Sequence, residues 1–270
     1  LTARIADREA MKDIQKDFDQ GFQGWEYKFN TVASSRGDYP FITMTFGTGT
    51  GKFAKIASIT MLNVRRKGQG KKNCKKPVLF PKLVFLYDEN LHGAGKELED
   101  VFEAGILCSS KSMYPDWLSL TGEGYVAEIY KKYGAIISPM GCRAFLSLWC
   151  NEEGRAVTVG RCNIGAVSLN LPIILKLAQL RHPDTWRNDF WRILDERLEF
   201  IRSFFKKRYD IIRNQKCSSN PLAFTQGGFY EGTKSPDDRV GDLVRYMTAS
   251  FGITALDEAT YLWSGRRLVE

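Results

Sequence analysis

The chain has 270 residues, of which 43% are hydrophobic and 13% aromatic, and its formal net charge is +8. That composition supports one large folded domain or two small ones and excludes a chain that is mostly disordered. No apolar run reaches the ~20 residues of a membrane-spanning helix, the N-terminus is not a signal peptide, and two histidines, His92 and His182, argue against a His-rich metal centre or a Ser-His-Asp hydrolase.

Residues 4–29 carry Met11, Ile14, Phe18, Phe22, Trp25 and Phe29 at steps of three and four, which predicts an amphipathic helix that Gly21 and Gly24 weaken. Asn30 to Asp38 is a polar connection, and residues 39–46 alternate as a strand does. Gly47-Thr48-Gly49-Thr50-Gly51-Lys52 resembles a phosphate loop only superficially. Phe46 stands where the first glycine of that motif belongs, and Phe53 stands where Ser or Thr belongs. A strand-to-helix turn is the better reading, with a helix over 53–66.

Arg65, Arg66, Lys67, Lys71, Lys72, Lys75 and Lys76 form a basic run without interleaved aromatics. It reads as a solvated connecting loop rather than a nucleic-acid platform. Residues 78–87 are nearly all apolar, as in a strand buried on both faces, with Pro81 marking an edge or bulge. Helices are expected over 97–108 and 123–133, and a short strand over 117–120.

Two apolar runs, 134–137 and 144–149, read as buried strands around the turn-forming loop Ser138-Pro139-Met140-Gly141-Cys142-Arg143. A cysteine at the tip of such a loop is unusual, although most lone cysteines are core residues. The other five, Cys74, Cys108, Cys150, Cys162 and Cys217, form no C-x-x-C pair and no secreted disulfide pattern, so a reducing, cytoplasmic setting is expected.

Residues 157–170 form a long β-type segment with bends at Gly160 and Gly165. Asn170 caps the following helix, which has Pro172 in its first turn. Residues 184–214 give the longest helix signal, and 222–226 read as a strand. Residues 248–258 read as a small-residue turn opening a helix, whose free N–H groups either hold a phosphate or are simply capped. The alternation is α/β, with no sharp boundary, so residues 1–270 are taken as part of one domain.

The finger-like segment 138–146, followed by Gly160-Arg161-Cys162-Asn163-Ile164-Gly165 and Ser168-Leu169-Asn170-Leu171-Pro172, resembles the anaerobic ribonucleoside-triphosphate reductases, which are glycyl radical enzymes. Ser35-Arg36-Gly37-Asp38-Tyr39-Pro40-Phe41, Leu79-Phe80-Pro81-Lys82-Leu83-Val84-Phe85, Asn220-Pro221-Leu222, Gly227-Gly228-Phe229-Tyr230 and 248–254 agree in the same order.

The resemblance implies a ten-stranded α/β barrel of two five-stranded halves, incomplete in this chain, with a central finger loop that carries Cys142. It implies that a glycyl radical, installed by an S-adenosylmethionine and 4Fe-4S activase, oxidises Cys142 to a thiyl. The thiyl takes the ribose 3′ hydrogen, the 2′ hydroxyl leaves as water, and formate supplies electrons. Met140 would lie beneath the thiyl, and Asn163 would face the substrate or formate. Thr248, Ala249, Ser250, Gly252, Ile253 and Thr254 would take the substrate phosphates. Cys162, next to Asn163 on a strand, would face away.

Ala144 departs from the family, where a hydroxyl residue is frequent. A second active-site cysteine, the glycyl radical motif, a zinc-binding region and most of the effector region are expected outside 1–270. The Leu1 start likewise reads as a fragment or processed chain. The implied partners are ribonucleoside triphosphates, dNTP and ATP effectors, the radical-SAM activase and a second copy in a homodimer, with no membrane or nucleic acid. The competing readings are a glycyl radical enzyme with another substrate, and a non-catalytic nucleotide- or nucleic-acid-binding remnant of the fold.

Overall fold

A computed structural model describes residues 2–31, 41–141, 144–228 and 232–269. The chain divides into two compact units, Leu1–Leu148 and Trp149–Glu270.

In the first unit, helix α1 spans Thr2–Thr31. Its predicted stripe becomes a ladder of rings: Phe18 stacks on Phe22 at 6.0 Å, and Trp25 meets Phe29 edge-on at 5.4 Å. Helix propensity and this stripe carry the chain through both glycines. Strand β1 covers Thr43–Phe46, α2 covers Lys52–Lys67, and β2 covers Lys82–Tyr87. Helix α3 (Glu99–Ser112), strand β3 (Asp116–Ser119) and helix α4 (Tyr125–Tyr133) follow.

The three strands are parallel in the order β1-β2-β3. Parallel neighbours need crossovers, and α2 and α3 supply them. Leu62, Phe85, Leu98, Val101 and Cys108 form the core between helices and sheet, with Phe46 against it. Because strand side chains alternate, Thr43 and Thr45 lie on the opposite face from Phe46.

In the second unit, strand β4 spans Cys162–Asn170 and helix α5 spans Leu171–Arg181. Helix α6 runs Trp186–Arg213, the short helix α7 covers Pro221–Phe224, strand β5 covers Met247–Thr254, and helix α8 covers Leu256–Ser264. Strands β4 and β5 are parallel partners. Asn170 caps α5 as expected, its Oδ1 accepting the Ile173 N–H at 3.2 Å, with Pro172 in the first turn. Leu169, Leu175, Phe190, Ile193, Ile201 and Phe205 anchor one core cluster, and Cys217, Phe224, Val240 and Tyr246 anchor another.

The structure corrects several sequence expectations. Runs 134–137 and 144–149 are buried or half-buried in part but irregular; they do not pair as strands, and the bridge at this loop joins Met140 to Ala144. Residues 222–226 are not a strand: Asn220 accepts the Ala223 N–H, and the chain turns into α7. Residues 248–254 are not a turn but most of β5, and the helix starts two residues later. Pro81 precedes β2 rather than interrupting it, and β2 is central, not an edge. The strand expected over 39–46 is ordered as β1 from Thr43, while residues 32–40 lie outside the described residues.

The basic run is also not uniform. Arg65 belongs to α2 and is fully buried, whereas Lys71, Lys72, Lys75 and Lys76 are exposed on a loop closed by a Gln69–Lys76 bridge. The described strands form a three-stranded and a two-stranded sheet, and no closed barrel is present among the described residues. No described helix is long and apolar enough to cross a membrane.

Candidate functional site

The loop of interest belongs to the first unit. Met140 and Ala144 form an antiparallel bridge, with N–H to O distances of 2.8 Å and 3.1 Å. Three residues separate them in sequence, Gly141, Cys142 and Arg143. Cys142 and Arg143 lie outside the described residues. The bridge replaces the two predicted strands as the closure of the loop. Upstream, Ser138 Oγ lies 2.8 Å from Thr45 Oγ1, and the Gly141 N–H donates to Thr43 Oγ1 at 2.9 Å.

The second candidate cluster lies in the second unit, on strands β4 and β5. Their register pairs Cys162 with Met247 and Asn163 with Thr248, then Ala166 with Ser250, Ser168 with Gly252 and Asn170 with Thr254. The shift between Asn163 and Ala166 is a bulge of one residue. It has a structural consequence: Asn163, Ala166, Ser168 and Asn170 stay on one face with Thr248, Ser250, Gly252 and Thr254. Val167, Leu169 and Ala249 take the other face, against the helices. Small and polar side chains therefore line one face, and apolar ones line the helix face.

Asn163 is held from two sides. Its Oδ1 accepts the Gly165 N–H at 2.8 Å, and its Nδ2 donates to Ser250 Oγ in a short contact. The backbone N–H can only donate, so the amide orientation is fixed, and the Ser250 hydroxyl proton is left to point elsewhere. One Nδ2 hydrogen and one Oδ1 lone pair of Asn163 are not used by these two bonds. Gly165 has φ +151°, and Arg208 Nη1 lies 2.7 Å from where a Cβ would stand. Any larger residue there would displace the guanidinium and the bulge that aims Asn163.

Cys162 packs with the opposite side, against the cluster of Cys217 and Tyr246. This agrees with the expected alternation. Burial pushes its thiol pKa up, and Arg161 opposes that only in part. Arg161 ties the entry to β4 to the start of β5, its Nε donating to the Tyr246 carbonyl at 2.6 Å. Burial likewise raises the Tyr209 phenol, whose hydroxyl donates to the Met247 carbonyl at 2.9 Å.

The residues predicted to hold phosphate divide by their position in the strand. Thr248, Ser250, Gly252 and Thr254 share the polar face with Asn163, while Ala249 and Ile253 point to the helix side. Helix α8 begins after Ala255, has no side-chain cap, and carries Asp257 and Glu258 in its first turn. Those carboxylates oppose an anion at that terminus. Among the described residues, no group of three or more His, Cys, Asp or Glu could hold a metal ion. Sequence reasoning passed over Thr43, Thr45 and Ser138. Their signal was the alternate placement of two threonines in a strand otherwise apolar.

This is an α/β chain with two parallel sheets, a hairpin-closed loop around a cysteine, and a polar strand face bearing an oriented asparagine. The family model for anaerobic ribonucleoside-triphosphate reductase matches residues 5–270, and the chain belongs to that family. It is 34% identical over 253 residues to the anaerobic ribonucleoside-triphosphate reductase of Salmonella typhimurium, covering 93% of this chain and 34% of that protein. The Escherichia coli protein of the same name is 34% identical over 244 residues, covering 90% and 32%. The protein of that name from Enterobacteria phage T4 is 32% identical over 259 residues, covering 94% and 41%. The chain thus spans about a third to two fifths of the length of these relatives.

Proposed function

We propose that this chain is part of the catalytic domain of an enzyme that reduces ribonucleoside triphosphates to 2′-deoxyribonucleoside triphosphates by thiyl-radical chemistry, and that formate is the reductant. Family membership over 5–270, with Cys142 in the loop that the Met140–Ala144 bridge closes, is the observation that carries this reading. The two sheets would contribute strands to a ten-stranded barrel, with 1–270 inside one catalytic domain. A glycyl radical on polypeptide outside this chain would supply the oxidising equivalent.

The roles of this chain's own residues follow from their chemistry. Cys142 takes the ribose 3′ hydrogen, making an S–H bond as the C–H bond breaks, and returns it after the 2′ hydroxyl leaves as water. Met140, first residue of the closure, would lie beneath the thiyl. Asn163 offers the amide hydrogen and lone pair left over from its bonds to Ser250 and Gly165, which suits a ribose hydroxyl or formate without adding charge. Thr248, Ser250 and Thr254 bring hydroxyls to the triphosphate, and Ala249, Gly252 and Ile253 complete the strand segment that carries them. A hydroxyl strip orients the substrate by hydrogen bonds rather than by net charge.

The whole protein would also bind dNTP and ATP effectors, pair as a homodimer and receive its radical from a radical-SAM activase. The nucleic-acid reading would rest on Lys67, Lys71, Lys72, Lys75 and Lys76, which are exposed, and not on Arg65, which is buried.

The test is the full-length polypeptide carrying this chain, expressed anaerobically with its activase and assayed for triphosphate reduction with formate. Cys142→Ser should abolish turnover while leaving the glycyl radical signal in place. Wild-type turnover in that variant would overturn the reading.

A further inference from the structure

We infer that Thr43 and Thr45 form a two-point hydroxyl clamp that positions the cysteine loop, and this rests on the reading of Cys142 above. Both threonines come from β1, two residues apart and so on one face of the strand. Each reaches a different part of the loop. Thr45 Oγ1 lies 2.8 Å from Ser138 Oγ, four residues before Cys142, and Thr43 Oγ1 accepts from the Gly141 N–H at 2.9 Å, immediately before it.

Phe41, two residues before β1, supports the loop by contact. Gly141 has φ +53°, and a Cβ there would stand 3.3 Å from Phe41 Cβ. Phe41 in turn meets Phe80 edge-on at 5.2 Å. Phe41, just before β1, and Thr43 and Thr45 within it thus present one apolar and two hydroxyl contacts to the loop. Sites held by strands are more precise than sites held by loops.

The chemistry gives the clamp its purpose. Hydrogen transfer at sulfur depends on separation, and a displacement of ~1 Å can cost about a hundredfold in rate. The Met140–Ala144 bridge fixes the loop's shape. It does not fix where the loop sits on the sheet; the threonine contacts do that from β1. Ala144 carries no hydroxyl, so any donor the family places there is absent, and β1 supplies loop hydrogen bonds from outside the loop. Thr43 and Thr45 are positioning residues, acting through Gly141 and Ser138.

Two measurements test this. In the activated full-length protein, Thr43→Val keeps shape and β-branching but removes the acceptor for the Gly141 N–H. It should lower kcat roughly tenfold to a hundredfold, leave KM and glycyl radical content unchanged, and be restored by Thr43→Ser. Unchanged kcat, or loss that Thr43→Ser does not restore, overturns the clamp. Second, in the chain without any radical, the Cys142 thiol is alkylated with iodoacetamide and followed by site-resolved mass spectrometry. Thr43→Val and Thr43→Val/Thr45→Val should raise its rate progressively, and a rate equal to wild type overturns the clamp. This second readout needs no catalysis. A chain in which alkylation responds but Cys142→Ser still turns over would keep the clamp and reject the role of Cys142.

Discussion

The most exposing single perturbation is Glu26→Ala, because Glu26 and Arg65 form an ion pair whose side chains are 1% and 0% exposed. Arg65 Nε donates to Glu26 Oε1 at 2.7 Å, and Arg65 Nη2 donates to the Pro81 carbonyl at 2.7 Å. Gln69 Nε2 reaches Glu26 Oε2 at 3.3 Å, the guanidinium sits 5.3 Å from the Tyr114 ring centroid, and Arg65 Nη1 has no hydrogen-bond partner among the described residues. One carboxylate therefore holds α1 to α2, and one arginine ties both to the entry of β2.

Removing the carboxylate leaves a buried cation with a single carbonyl acceptor. Breaking such a pair costs about 3–5 kcal/mol, much of it for the charge left behind. With a urea slope of about 2–3 kcal/mol/M, the unfolding midpoint should fall by about 1–2.5 M. Glu26→Leu/Arg65→Met removes both charges and should recover most of the loss, since apolar replacement of a buried pair is often neutral. The assay is urea unfolding of the chain followed by far-ultraviolet circular dichroism, with Glu26→Leu and Arg65→Met alone added to complete a double-mutant cycle. A Glu26→Ala shift below about 0.3 M, or a double variant no more stable than the single one, would refute the reasoning.

Gly252→Ala should destabilise the second unit by about 1–3 kcal/mol, the usual cost of overpacking, because its Cβ would stand 2.4 Å from Ser168 Oγ. Adding Ser168→Ala should recover most of that in the same urea assay. Asp257 accepts the Leu268 N–H at 2.9 Å and pairs with Arg267, and these bonds lower its pKa in that order of importance. A lowered carboxylate stabilises above the unfolded value of about 3.9 and loses that contribution as pH falls through its folded value. Hydrogen exchange at the Leu268 amide, corrected for intrinsic rate, should therefore accelerate on acidification below about pH 4, and Asp257→Asn should remove that dependence.

Much of the fold was legible because long periodic segments leave little choice. The stripe from Met11 to Phe29 became α1 despite two glycines, and the stripe from Trp186 became α6. Asn170 and Pro172 announced the start of α5 by their own chemistry. The errors fell where local pattern and tertiary context disagree. Leu222-Ala223-Phe224 is apolar enough for a strand, but Asn220 and Pro221 impose a helix start. Arg65 was grouped with the lysines because its partner is 39 residues away on another helix, and no local pattern reports that pairing.

The most instructive error concerns residues 248–254, because it changes what they can do. Thr248, Ser250, Gly252 and Thr254 alternate with Ala249, Phe251 and Ile253, which is the period of a strand. Small side chains made the segment look like a turn, yet the same smallness is what the strand requires, since Ser168 fills the space above Gly252. As a turn, the segment would offer a cradle of free backbone N–H groups. As β5, it spends backbone groups on the ladder with β4 and offers hydroxyls instead. A ligand on this face is met by Asn163, whose amide is fixed by Gly165 and Ser250, and by a row of side-chain hydroxyls. Recognition there depends on hydrogen-bond geometry, so moving the Asn163 amide should change substrate positioning more than it changes overall charge attraction.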